Sequence, residues 1–281
     1  WVVGLAAGAA VVWAVALNVT DGIDGGLLRG LESPRHEYPA DVARIDDPLR
    51  FLSGFTEDID RYVTHVRGHP PGFLLLLWVL DRVGLSGVPT AAAVSIAGAG
   101  LAAACVVVVV RDVAGEDLAR RAVPFVGAAP AALWMASSAD ALFAGVGALA
   151  VALVVLATGR SGRRSDLLAL GGGVVGGLAL MGSYGMVLVA CVPAAVAWRR
   201  RRGRPLLVAG IGGAVVLGAF AGAGFWWVEG LRATSGEYRD GIASLRPYRY
   251  FVVANVAAFA LAVGPATAAG LARLRDPGLW V

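Results

Sequence analysis

All three histidines of this 281-residue chain, His36, His65 and His69, fall between Val19 and His69, together with ten of its twenty carboxylates. Within that stretch His36-Glu37-Tyr38 sets a carboxylate beside an imidazole, a pairing that serves as a general base or a metal ligand and is also common on polar loops. The segment His65-Val66-Arg67-Gly68-His69-Pro70-Pro71-Gly72 is more specific. Its two prolines fix the backbone and push the preceding histidine toward an extended conformation, so His69 and Arg67 are presented at a defined position. The delocalised guanidinium of Arg67 suits a phosphate. A turn leading into an interfacial helix is the competing explanation. Asp21 and Asp24, in Thr20-Asp21-Gly22-Ile23-Asp24-Gly25-Gly26, are either acids at the mouth of the first apolar segment or parts of a glycine-rich turn. Asp140 is the only carboxylate between Asp117 and Asp166. An ionisable group between two apolar segments is a functional candidate, with helix capping as the alternative.

The remainder of the chain supplies the scaffold. Hydrophobic residues make up 58% and the mean hydropathy is +0.71, more apolar surface than a water-soluble globule of this size can bury. The apolar runs are long and continuous, which points to membrane-spanning helices and away from a β-barrel. There is no lysine, and the arginines stand in short clusters between apolar segments. That pattern encodes membrane orientation and argues against nucleic-acid binding despite a pI near 9.5. Cys105 and Cys191 lie in apolar segments and read as small core residues. The chain starts at Trp1 and stops soon after an apolar segment, which suggests a fragment lacking C-terminal parts. Its first segment reads as a retained anchor.

Eight spans are expected, over residues 1–18, 88–110, 120–137, 140–159, 166–182, 184–198, 205–228 and 250–272. Frequent glycines at 171–177 suit close helix contact. The connections Arg111–Arg121, Arg160–Arg164, Arg199–Arg204 and the tail from Arg273 carry 3, 3, 5 and 2 arginines, which assigns them to the cytoplasmic side. The opposite side receives the first loop, residues 19–87, the connection at Asp140, the turn Ser183-Tyr184-Gly185 and the loop 229–249. Residues 72–85 are too short an apolar run to cross and read as a juxtamembrane helix. Asp47-Pro48-Leu49 marks a helix start, and Thr56, Asp58, Ile59, Tyr62, Val63 and Val66 have the spacing of a second amphipathic helix. Arg232, Arg239, Arg246 and Arg249 with Tyr238, Tyr248 and Tyr250 read as an interfacial belt.

Over roughly residues 1–200 the pattern resembles the GT-C superfamily of membrane glycosyltransferases, in the branch of protein O-mannosyltransferases and lipid A aminoarabinose transferases. The resemblance rests on a first helix followed by a long loop, on His69-Pro70-Pro71-Gly72 closing that loop, and on Asp140-Ala141-Leu142-Phe143 opening a later span. It implies one multi-pass membrane domain over 1–281 that transfers a sugar, such as mannose, from a polyprenyl-phosphate donor to an extracytoplasmic acceptor. A first-loop acid would act as base and basic groups would hold the phosphate, in some members with a divalent metal ion. Here the base is Asp24 or Glu37, with Asp21 nearby and Asp140 assisting. Glu37 and Asp140 are the metal-ligand candidates. His69, Arg67, His65, Tyr38 and Tyr184 are the substrate-binding candidates. The chain departs from the family in lacking its Asp-Glu doublet and in carrying about eighteen extra residues before Glu37. A non-catalytic membrane scaffold or lipid-handling protein is the alternative. A transporter fits less well, because the spans carry almost no charge.

Overall fold

The computed structural model describes residues 1–245 and 247–273. Every regular element among them is helical, and helix makes up 81%. In order these are α1 (Val2–Asn18), α2 (Pro48–Gly54), α3 (Gly72–Arg82), α4 (Gly87–Ala114), α5 (Glu116–Gly127), α6 (Asp140–Thr158), α7 (Gly162–Gly182), α8 (Cys191–Arg199), α9 (Arg204–Gly222), α10 (Trp227–Asp240) and α11 (Tyr248–Ala272), with short turns between them. In hydrocarbon a backbone must satisfy its own polar groups, and an apolar run does so by coiling into helix. Among the described residues five helices are long and apolar enough to cross a bilayer: α4, α6, α7, α9 and the Tyr248–Thr267 part of α11.

Three of the eight expected spans are not continuous crossing helices. α1 has 17 residues and its axis turns by 102° into Ile23–Leu31. Over 120–137 the chain forms α5, breaks at Ala128–Ala131 and resumes only as the single turn Ala132–Met135; Pro124 lies inside α5 and Pro130 in the break. Each proline removes a backbone donor, so a straight helix cannot pass through. Over 184–198 a 3-10 stretch, Tyr184–Ala190, precedes the nine-residue α8.

The long helices pack side by side, α1 on α4, α4 on α6, α6 on α7 and α7 on α9. Small residues allow the close approach. A Cβ on Gly173 of α7 would meet the Ala209 carbonyl of α9 at 1.9 Å. Cys105 is buried in this packing, whereas Cys191 is exposed rather than in the core; both are free thiols.

The bundle has two chemically different ends. At one, Asp112 of α4 pairs with Arg200 at 2.9 Å and lies 3.7 Å from Arg160. Arg200 also donates to the Thr158 hydroxyl and the Asp112 carbonyl, tying the C-terminal ends of α4, α6 and α8 together. At the other end the first loop packs on the N-terminus of α6 and the turn after α9, through Phe73–Phe143 and Phe55–Phe225 ring contacts of 5.7 and 5.5 Å. Arg246 and Arg275, counted in the belt and the basic tail, lie outside the described residues.

Candidate functional site

The first loop is folded by local devices that its sequence encodes. Asp47 caps α2 through its carboxylate, which accepts from the Leu49 and Arg50 amides, and Pro48 opens the helix as expected. The next stretch departs from the single amphipathic helix its spacing suggests. It forms a 3-10 turn over Ile59–Arg61 and one helical turn over Thr64–Arg67, with Val63 extended between them. Asp41 explains the break. Its fully buried carboxylate accepts from the Val63 amide at 2.7 Å and pairs with Arg44 at 3.1 Å, so Val63 has a side-chain partner in place of a helical one. The only trace of this role in the sequence is the Asp41–Arg44 spacing of three.

A second device sets the register of the titratable groups. The Thr64 amide donates to the Arg35 carbonyl and the His65 amide to the His36 carbonyl, while His36 Nδ1 lies 2.9 Å from the Thr64 hydroxyl. This pairing brings Glu37 opposite His65, with Nδ1 to Oε1 at 3.5 Å. Tyr38, the next residue, is fully buried, with its ring 4.7 Å from Phe73, 6.1 Å from His65 and 6.0 Å from His69. Its hydroxyl has no hydrogen-bond partner among the described residues.

His69 is held by the Pro-Pro segment behind it. Pro70 and Pro71 are buried, and a Cβ on Gly72 would fall 2.5 Å from the Met181 carbonyl oxygen, so glycine alone lets α3 start against the end of α7. His69 Nδ1 is 2.8 Å from the His65 carbonyl. A carbonyl can only accept, so Nδ1 carries a proton and Nε2 is the ring nitrogen left for another partner. The His69 ring also meets Phe143 of α6 at 5.6 Å. Asp140 opens that same helix, exposed, with Ser138 donating to its carboxylate at 2.9 Å.

Glu37, Tyr38, His65, His69 and Asp140 therefore form one electrostatic group. Burial, then the nearby Asp140 carboxylate, pushes Glu37 from 4.5 up to about 7. Burial with the same two carboxylates moves the Tyr38 phenol well above its usual value. His65 is lowered by burial and by His69; Asp140 opposes this and His36 adds to it. Both members of the Glu37–His65 contact thus shift toward their neutral forms, and the contact is not an ion pair near neutral pH. A carboxyl that titrates near neutrality can accept a proton from a hydroxyl at physiological pH.

The remaining candidates sit apart from this group or are engaged elsewhere. Asp21 and Asp24 are exposed beyond α1 and make no hydrogen bond or ion pair among the described residues. Arg67 pairs with Glu237 of α10 at 3.0 Å, and its carbonyl accepts from Thr234 of the same helix. The Tyr184 hydroxyl is buried beside Thr234. Glu237 and Thr234 had no sequence signal, since their helix is separated from Arg67 by about 170 residues. Among the described residues no three His, Cys, Asp or Glu side chains assemble as ligands, although a carboxylate pair is a donor set that suits a hard cation completed by substrate oxygens. Cavities of about 530 and 590 Å³ lie elsewhere, between α6, α7, α8 and α9 and at the arginine-rich end. Set against protein-family models, curated proteins and solved structures, the chain matches none.

Proposed function

We propose that this chain is a multi-pass membrane glycosyltransferase of GT-C type. It takes a sugar, such as mannose, from a polyprenyl-phosphate donor and passes it to an acceptor at the extracytoplasmic face, with the chain crossing the bilayer eight times. The observation that carries the reading is Glu37, buried beside Asp140 and titrating near 7, within the group that holds Tyr38, His65 and His69. Of the two first-loop acids weighed from sequence, only Glu37 belongs to that group, and it is assigned as the base.

In this mechanism ionised Glu37 takes the proton from the acceptor hydroxyl. The oxygen attacks the anomeric carbon and the bond to the donor phosphate breaks, with inversion. His69 offers Nε2 to the donor, Arg67 is the phosphate cation, and Tyr38 offers its unpartnered hydroxyl. A divalent cation, where used, would be held by Glu37 and Asp140 and would supply charge for the leaving phosphate.

The test is transfer of labelled sugar from a lipid-phosphate donor by purified full-length protein. Glu37→Gln should lower turnover by about 10²-fold or more, the range for loss of a general base, and Asp24→Asn should leave it near wild type. Unchanged turnover in both Glu37→Gln and Asp140→Asn would sink the assignment. A non-catalytic lipid-handling role is the second reading, favoured by one observation: the cavities near 530 Å³ and above are lined largely by apolar helices away from Glu37. Lipid binding without turnover would select it.

A further inference from the structure

At the arginine-rich end, opposite the Glu37 group, two cavities share part of their walls. One, of about 590 Å³, is lined by Trp198, Arg201, Arg202 and Gly203. The other, of about 530 Å³, runs between α6, α7, α8 and α9, and its lining contains no polar or charged side chain. Ala194 and Leu206 belong to both walls. From Leu206 to Leu217 the groove follows α9 for about 17 Å at the helical rise, close to the roughly 15 Å depth of one leaflet of hydrocarbon.

The mouth carries surplus positive charge. Asp112 takes Arg200 and Arg160, and Asp166 takes Arg204 at 2.8 Å. Arg199, Arg201 and Arg202 have no carboxylate partner among the described residues; the Arg202 guanidinium donates to the Arg160 carbonyl. Arg201 ends α8 in the left-handed region, with φ 53°, and is the only non-glycine described there. The Arg201 and Arg202 amides close that helix end onto the Trp198 and Ala197 carbonyls, an ending that usually places glycine where Arg201 stands. Arginine at this strained position directs a cation at the mouth. Trp198, 87% exposed beside it, has the amphipathic ring that settles at headgroup level.

The geometry points to a binding site for an anionic glycerophospholipid, its phosphate at Arg201 and Arg202 and one acyl chain along the α6–α9 groove. Charge complementarity at the mouth and the absence of polar lining behind it select a charged head with an apolar tail. The site does not rest on the glycosyltransferase reading and lies at the other end of the bundle.

The test is native mass spectrometry of the full chain in detergent with phosphatidylglycerol or phosphatidylcholine at equal concentration. Phosphatidylglycerol should be retained about tenfold better, and less so as salt rises. Arg201→Asn with Arg202→Gln should weaken it on the order of twentyfold, at about fivefold per cation, and asparagine tolerates the left-handed backbone. Gly210→Leu fills the groove where no atom lies within 4 Å of a Cβ, and leucine suits a helix better than glycine, so loss of lipid there reads as occlusion. Glycerol phosphate, carrying the charge without a tail, should not compete. Equal retention of both lipids overturns the site, as does wild-type binding by the double arginine variant. Loss in the arginine variant with full retention by Gly210→Leu reduces the contact to surface attraction and also overturns it.

Discussion

Glu37 concentrates the chemistry of the first loop in one proton. Its elevation predicts turnover that rises through about pH 7 as the carboxyl ionises. Asp140→Asn removes the like charge, so the midpoint should move to lower pH by less than half of the elevation, burial being the larger cause. A pH–rate profile of the two proteins checks this. The same elevation bears on folding, because the folded loop binds this proton more tightly than the unfolded chain does. The stabilisation is complete below pH 4.5 and is lost as pH rises through about 7, roughly 3 kcal/mol in all. Glu37→Gln is neutral throughout. Its melting temperature should therefore lack the fall that the wild type shows between pH 5 and pH 8. A parallel fall in both would remove Glu37 as the cause. Asp41 makes a contrasting case. Asp41→Ala leaves a buried Val63 amide unpartnered and removes the carboxylate facing Arg44, which keeps its bond to the Arg61 carbonyl; this costs about 1–3 kcal/mol and should expose the loop to protease. From sequence, Glu37 and Asp140 could be singled out by residue type and neighbours, but their proximity could not. It depends on the pairing of residues 35–36 with 64–65, which leaves no periodic trace.

At the scale of elements, what was legible followed length, charge and proline. Asp47-Pro48 predicts the start of α2, and the nine apolar residues before Asp81 predict a helix too short to span, which α3 is at 11 residues. The expected spans at 120–137 and 184–198 were misjudged in their regularity, because hydropathy counts residues and does not register where Pro124, Pro130 or a 3-10 stretch interrupts the ladder. Amphipathic spacing at 56–66 picks out Ile59, Val63 and Val66, which are buried, yet a side-chain acceptor redirects the backbone between them and the expected helix does not form. Gly72 carries the clearest test at this scale. Gly72→Val places a side chain against the Met181 backbone, which cannot yield as a flexible side chain can. The start of α3 must move and take His69 with it. The variant should melt several degrees lower and lose turnover out of proportion to its retained helix content by circular dichroism. Wild-type turnover would show that His69 need not be held there.

For the whole molecule, arginine clusters predicted two unlike faces, and the bundle has them. The tie of Asp112 to Arg200 and Arg160 lies at the far end of α6 from Asp140. α6 has 19 residues, so the two ends are about 27 Å apart, comparable to the hydrocarbon thickness. Cysteine introduced at Ser33 should react with an impermeant thiol reagent only from outside the cell, and one at Arg163 only after permeabilisation. Labelling of both from the same side would refute the orientation. Arg200→Gln frees Asp112 from its closest cation and should destabilise the bundle by about 2 kcal/mol, read as a lower melting temperature in detergent.

The guanidinium of Arg67 is already answered by the carboxylate of Glu237. An incoming anion therefore does not meet a vacant charge; it must exchange with one the protein supplies, and each such exchange removes one of the two ties between α10 and the first loop, leaving the Thr234 hydroxyl on the Arg67 carbonyl. Neutralising the internal rival in Glu237→Gln should tighten anion capture severalfold while speeding amide exchange along Trp227–Asp240.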